Sequence, residues 1–151
     1  MTHTFPVPLG SDGGTTRDED LKWLWDRLEE KAENPVGYVP SITEARVLER
    51  FDGGLVREIL VRDRLRYRER VLLRPPLLVV FEQLDDPDVG EIRNELGWAD
   101  DDTITYTFSA ILRHEAVERI GGLLIGLENA FFDSARGSTN TLLLRAAAPA
   151  L

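Results

Sequence analysis

TEARVLERFDGGLVREILVRDRLRYRERVLLR, residues 43–74, decides the fold. Apolar and charged side chains alternate through it, the two-residue period of strands with one covered face and one wet face. Asp52-Gly53-Gly54 interrupts the alternation with a hairpin signal, so the runs on either side pair antiparallel. The reading gives strands at 43–51, 55–63 and 65–74. The join at Asp63-Arg64 is tight enough that the last two could be one bent ribbon.

The pattern continues past this stretch. Pro75-Pro76 makes a corner, Asp85-Asp86-Pro87-Asp88 a loop and Asp100-Asp101-Asp102 a polar turn, which leaves strands at 77–84, 90–98 and 103–113. Upstream, residues 3–9 make a short strand that Pro6 and Pro8 confine to an edge. Gly10-Ser11-Asp12-Gly13-Gly14 is a loop without the spacing of a phosphate-binding motif. Thr16 and Glu19 form a capping box, and Leu21, Leu24, Trp25, Leu28 and Ala32 then fall on one helical stripe. Trp23 faces away from that stripe. Asn34-Pro35 ends the helix, and 36–42 is a turn or a short second helical piece. From about Ile120 a long C-terminal helix carries Leu124, Leu127, Phe131, Ala135, Ser138 and Leu142 on one face, although Gly126 and Gly137 each cost it about 1 kcal/mol. The small residues Ser134, Ala135 and Ser138 leave room beneath that face. The fold class is therefore α+β: a curved antiparallel sheet of six to seven strands around a long C-terminal helix, with an N-terminal helix inserted after the first strand.

The 151 residues suit one domain, 1–151, with enough apolar content (42%) to bury a core unaided. Zero cysteines exclude thiol catalysis and disulfides. A net charge of −9 opposes binding to nucleic acid and to anionic membranes. The longest apolar runs fall far short of the roughly 20 residues needed to cross a bilayer, and the first residues lack a secretory signal. A cytoplasmic protein is expected.

Alternation assigns the sheet faces. Arg57, Ile59 and Val61 point inward, joined across the hairpin by Ala45, Val47 and Glu49, and across the next join by Tyr67, Glu69 and Val71. Arg46, Arg50, Glu58, Arg62, Arg66, Arg68 and Arg70 are left on the wet side. Ile92, Asn94 and Leu96 likewise group with Tyr106, Phe108 and Ala110. In this register Glu49 lies opposite Arg57 and Glu69 lies near, so two acids surround one arginine. They form either a satisfied ion-pair cluster or the polar end of a cavity in which one glutamate has a raised pKa suited to acid–base work. A slip of one residue turns them outward. Glu69 and Glu49 are the candidate catalytic residues. Arg57, Ile59, Tyr67, Phe81, Asn94, Tyr106, Phe108, Phe131 and Ser134 are the candidate ligand contacts. His3 and His114 are too isolated for a metal site or a triad, and neither metal nor cofactor is expected.

The element order, together with Lys31-Ala32-Glu33-Asn34-Pro35, Tyr38-Val39-Pro40, Glu69-Arg70-Val71, Pro75-Pro76 and Asn94, resembles the AtaL-like family of the START-like (SRPBCC, helix-grip) superfamily. Gly121-Gly122 and Gly137 depart from its more regular C-terminal helix. The resemblance implies a cavity between sheet and C-terminal helix for a hydrophobic small molecule, with no catalytic residues to carry over. Three functions are expected in turn: binding of a hydrophobic or aromatic metabolite, in secondary metabolism; a cofactor-independent cyclase or dehydratase; and a protein-interaction module.

Overall fold

The computed structural model describes residues 1–7, 16–120, 133 and 135–139. Its elements are β1 (Thr2–Val7), α1 (Arg17–Glu33), β2 (Ile42–Phe51), β3 (Gly54–Val61), β4 (Leu65–Arg74), β5 (Leu78–Gln83), β6 (Val89–Trp98), β7 (Ile104–Leu112) and α2 (His114–Ile120). The strands form one antiparallel sheet in the order β1-β7-β6-β5-β4-β3-β2. Every neighbouring pair from β2 to β7 is consecutive in sequence, a meander built by short turns.

The chain folds locally for the reasons its residues supply. The Thr16 hydroxyl accepts the Glu19 N–H at 3.2 Å and caps α1, and Asn34 ends it in an extended conformation. Leu21, Leu24, Trp25, Leu28 and Ala32 are buried, in one cluster with Val71, Val79, Phe81, Leu96, Tyr106 and Phe108 of the sheet. Completely burying Leu24 and Leu28 contributes about 2 kcal/mol each. Pro6 sits in the edge strand β1, where its missing donor costs no ladder bond. Residues 36–41 are turns rather than a second helix.

Two turns set the register. Gly53 has φ +86°, and a Cβ on Gly54 would stand 2.1 Å from the carbonyl oxygen of Val71, so the β2–β3 turn requires glycine at both places. At the β3–β4 join, Arg62 (φ 53°) and Asp63 (φ 57°) are both left-handed, as in a tight hairpin turn. The bent-ribbon alternative is thereby resolved into two strands, with Arg57 paired to Glu69 and Ile59 to Tyr67. Ile92, Asn94 and Leu96 pair with Ala110, Phe108 and Tyr106.

One expected pair is corrected. Val47 lies opposite Arg57, but Glu49 lies opposite Val56, because the β2–β3 register shifts between Val47 and Glu49. The extra residue of this bulge, Leu48, reverses the alternation beyond it. Glu49 is consequently exposed on the outer side of the sheet.

At the C-terminal end α2 begins at His114, earlier than expected, and Asp133 and residues 135–139 are helical. The expected helix positions Leu124, Leu127, Phe131, Ser134 and Leu142 lie outside the described residues.

Candidate functional site

The site starts from one cross-strand pair. Arg57 on β3 and Glu69 on β4 are 3% and 4% exposed, and Nε and Nη2 of the arginine reach Oε1 of the glutamate at 2.9 and 2.7 Å. Oε2 accepts from the Gln83 side-chain amide at 2.5 Å. The remaining arm of Arg57 donates to the backbone carbonyls of Lys31 (3.1 Å) and Ala32 (2.9 Å) in the last turn of α1. These carbonyls are otherwise left over at a helix end. The buried pair thus ties three strands to the helix, with both partners hydrogen-bonded.

Lys31 enters through the same turn. Its side chain is 4% exposed and its Nζ donates to Asn94 Oδ1 at 2.7 Å and reaches the Tyr106 hydroxyl at 3.4 Å. That hydroxyl donates to the same Asn94 oxygen at 2.9 Å. The Phe108 ring centre lies 5.0 Å from the amine, with Phe81 and Tyr106 at 5.8 and 6.0 Å. Burial brings the Lys31 pKa down from 10.5 to about 7; the charge of Arg57 adds to the fall and that of Glu69 opposes it. Burial also raises Tyr106 well above its ordinary value, so it remains a phenol. Tyr67, raised by burial and by Asp86 and Asp88, does the same.

This arrangement inverts the expected one. The sequence placed two acids around one arginine; the structure places two bases, Lys31 and Arg57, beside one carboxylate. Glu69 is already held by Arg57 and Gln83, so Lys31 has only uncharged partners, and burial acts against its protonated form.

A cavity of about 250 Å³ opens onto this cluster. Lys31, Glu69, Gln83 and Asn94 form its polar part. Ile42, Ile59, Phe81, Ile92 and Phe108 of the sheet and Val39 before it form apolar walls, with Tyr67 and Asp86 also in the lining. Ala135 and Ser138 close the opposite side. The Ser138 hydroxyl is buried with no hydrogen-bond partner among the described residues.

The cavity brings together Glu69, Ile59, Tyr67, Phe81, Asn94 and Phe108 of the residues singled out from sequence. Arg57 and Tyr106 stand behind the wall, positioning Glu69 and Asn94. Glu49 is outside, and Phe131 and Ser134 lie outside the described residues. Sequence reasoning passed over Lys31, although it falls three residues after Leu28 and seven after Leu24, on the buried stripe of α1, where a lysine is anomalous. Gln83 was passed over as well; it alternates with Phe81 on β5. Among the described residues no His, Asp or Glu cluster suits a metal ion.

The sequence profile of the AtaL family, described as acetylaranotin biosynthesis cluster protein L, matches residues 16–121. No curated protein sequence matches the chain. Among solved structures, the di-domain ARO/CYC BexL of the BE-7585A biosynthetic pathway is similar with a TM-score of 0.68 at 13% identity, over 99% of this chain and 50% of that one. The chain thus spans about half the length of that protein. The Zhui aromatase/cyclase of Streptomyces sp. R1128 gives 0.64 at 18% identity, over 97% and 92%. The protein TTHA0849 of Thermus thermophilus gives 0.58 at 13%, over 97% and 94%. At such identities the likeness is one of fold. With the profile covering well over half its length, the chain belongs to the AtaL family and has the SRPBCC-type fold of the aromatase/cyclases.

Proposed function

We propose that the protein binds a compact, hydrophobic aromatic molecule in this cavity, with the oxygen substituents of the ligand held by Lys31, Asn94 and Glu69, and that the setting is natural-product metabolism. The observation that carries the reading is the composition of the cavity: aromatic and aliphatic walls, with hydrogen-bonding groups gathered at one end. Such an arrangement suits ligand recognition, in which apolar surface supplies affinity and a few polar groups fix orientation. A volume of about 250 Å³ lies just under the usual range for drug-sized ligands and favours a small ring system. The biosynthetic-cluster description of the family and the aromatase/cyclase neighbours support the metabolic setting.

The test is a thermal-shift and native mass-spectrometry screen of hydroxylated naphthalenes and anthraquinones beside straight-chain fatty acids. Binding of the aromatics with a raised melting midpoint is expected. A screen in which only the fatty acids bind, or nothing binds, overturns the reading.

Lys31 favours a second reading, cofactor-independent cyclisation or dehydration by acid–base catalysis. A group with pKa about 7 gives and takes protons with equal ease near neutrality, and Glu69 supplies a carboxylate in the same cavity. On an identified substrate, Lys31→Met would lower turnover about 100-fold; unchanged turnover in both Lys31→Met and Glu69→Gln removes this reading.

A further inference from the structure

The sequence contains two lysines against sixteen arginines. Lys22 lies on the outer side of α1, 76% exposed, paired with Asp26 at 3.7 Å. Lys31, nine residues later on the same helix, is in the cavity wall. If a positive charge were all the cavity required, arginine would serve with less loss on burial, since it is the weakly hydrated cation and the one this chain uses almost everywhere else. What a lysine offers in a buried place and an arginine does not is a nitrogen lone pair.

Three features of the surroundings expose that lone pair. Both hydrogen-bond partners of Nζ are uncharged, the Asn94 amide oxygen and the Tyr106 hydroxyl. The nearby carboxylate, Glu69, is taken up by Arg57 and Gln83, and the Arg57 guanidinium adds a second positive charge close by. A lysine desolvated among aromatic rings and next to another cation is the combination that activates amines towards carbonyl carbon. Lys31 also lines the cavity together with Asn94, Phe81 and Phe108, the residues around its amine, so a ligand in the cavity lies next to it.

We propose that Lys31 is a nucleophilic amine that condenses with an aldehyde or ketone carbon of the cavity's ligand to form an imine. The inference rests on the cavity-binding reading and deepens it, naming a carbonyl-bearing aromatic as the ligand class. The nitrogen lone pair forms the C–N bond while the carbonyl π electrons move to oxygen. A proton lost from nitrogen is gained by that oxygen, giving a carbinolamine. Departure of the oxygen as water, with a second proton from nitrogen, leaves the C=N bond. No oxidant, reductant or metal enters the balance.

The experiment incubates the full chain with benzaldehyde, then with 2-naphthaldehyde, at pH 7 in the presence of sodium cyanoborohydride, which reduces an imine to a stable secondary amine. Peptide mapping by mass spectrometry reads modification at Lys31, Lys22 and the terminal amine within one sample, so no variant has to fold. Modification at Lys31 about ten times faster than at Lys22 is expected, with the Lys31 rate levelling off above neutral pH while that of Lys22 keeps rising. Lys31→Arg should abolish the adduct while keeping the charge. If the aldehydes raise the melting midpoint but only Lys22 and the terminus are modified, the imine is overturned and the binding reading stands. If there is neither a shift nor a Lys31 adduct, and the hydroxylated aromatics also fail to bind, both are overturned.

Discussion

Arg57 meets four structural obligations at once: a carboxylate, two helix carbonyls and the face of Phe81, 5.0 Å from its guanidinium carbon. Removing one partner of a buried pair strands the other, so Arg57→Met should cost about 3–5 kcal/mol in urea denaturation, and Arg57→Met with Glu69→Leu together should recover part of that loss. Lys31 predicts a pH dependence. Its pKa is lowered on folding to about 7, so between about pH 7 and 10.5 the unfolded chain holds a proton that the native chain has released. Stability should therefore rise with pH across that window, by at most about 1.4 kcal/mol per unit, and be lost again as pH falls towards 7. Below about 7 both states carry the proton and this residue contributes no further slope. Arg57 from β3, Glu69 from β4 and Tyr106 from β7 surround the amine, and Lys31→Met leaves all three in place; urea midpoints from pH 6 to 9 should show the slope in the wild type and its absence in the variant. At this scale the sequence was only partly legible. Alternation put Arg57, Glu69, Asn94 and Tyr106 on the covered face correctly, because period and pairing decide that. Lys31 escaped because a charged residue on an apolar stripe reads as a solvated one until the partners that bury it are known.

The elements were far more legible than the contacts. The turn residues Asp52-Gly53-Gly54 and Pro75-Pro76 and the acidic loops punctuate the chain at the places where the strands end, and the capping box starts α1 at its observed residue. The miss is instructive: a bulge at Leu48 has no composition of its own, since an extra residue in a strand alternates like any other until the ladder is drawn. It moved Glu49 to the wet side and with it half of the expected acid pair. Two predictions belong to this scale. Gly54→Ala should destabilise the fold by several kcal/mol, more than ordinary turn substitutions, because the added carbon meets the backbone oxygen of Val71 rather than a side chain that can move. Thr16→Ala should cost about 1 kcal/mol through the lost cap, read as a lower melting midpoint.

For the molecule as a whole, the sheet is the frame and the cavity is what the frame leaves unfilled beneath Ala135 and Ser138. Filling it separates ligand binding from folding: Ala135→Leu should reduce affinity for aromatic ligands at least about tenfold while leaving the far-ultraviolet circular dichroism unchanged, since the new side chain enters existing space. The α+β architecture and most of the inner and outer faces could be read from the chain, because they follow from periodicities and punctuation repeated over many residues, and the family resemblance came from local motifs such as Lys31-Ala32-Glu33-Asn34-Pro35. The identity of the ligand could not, because it depends on the shape of a void that few side chains define. One consequence concerns freedom of movement. A lysine ordinarily wags through four rotatable bonds and gives up roughly 2 kcal/mol of rotamer entropy when something grips it. In this protein Arg57 grips the carbonyl oxygen of Lys31 itself, and Asn94 grips the tip of the same residue, so root and tip are both fixed by folding. A ligand arriving at the amine meets a group already aimed, and what it gains on binding is not spent on stilling a flexible arm.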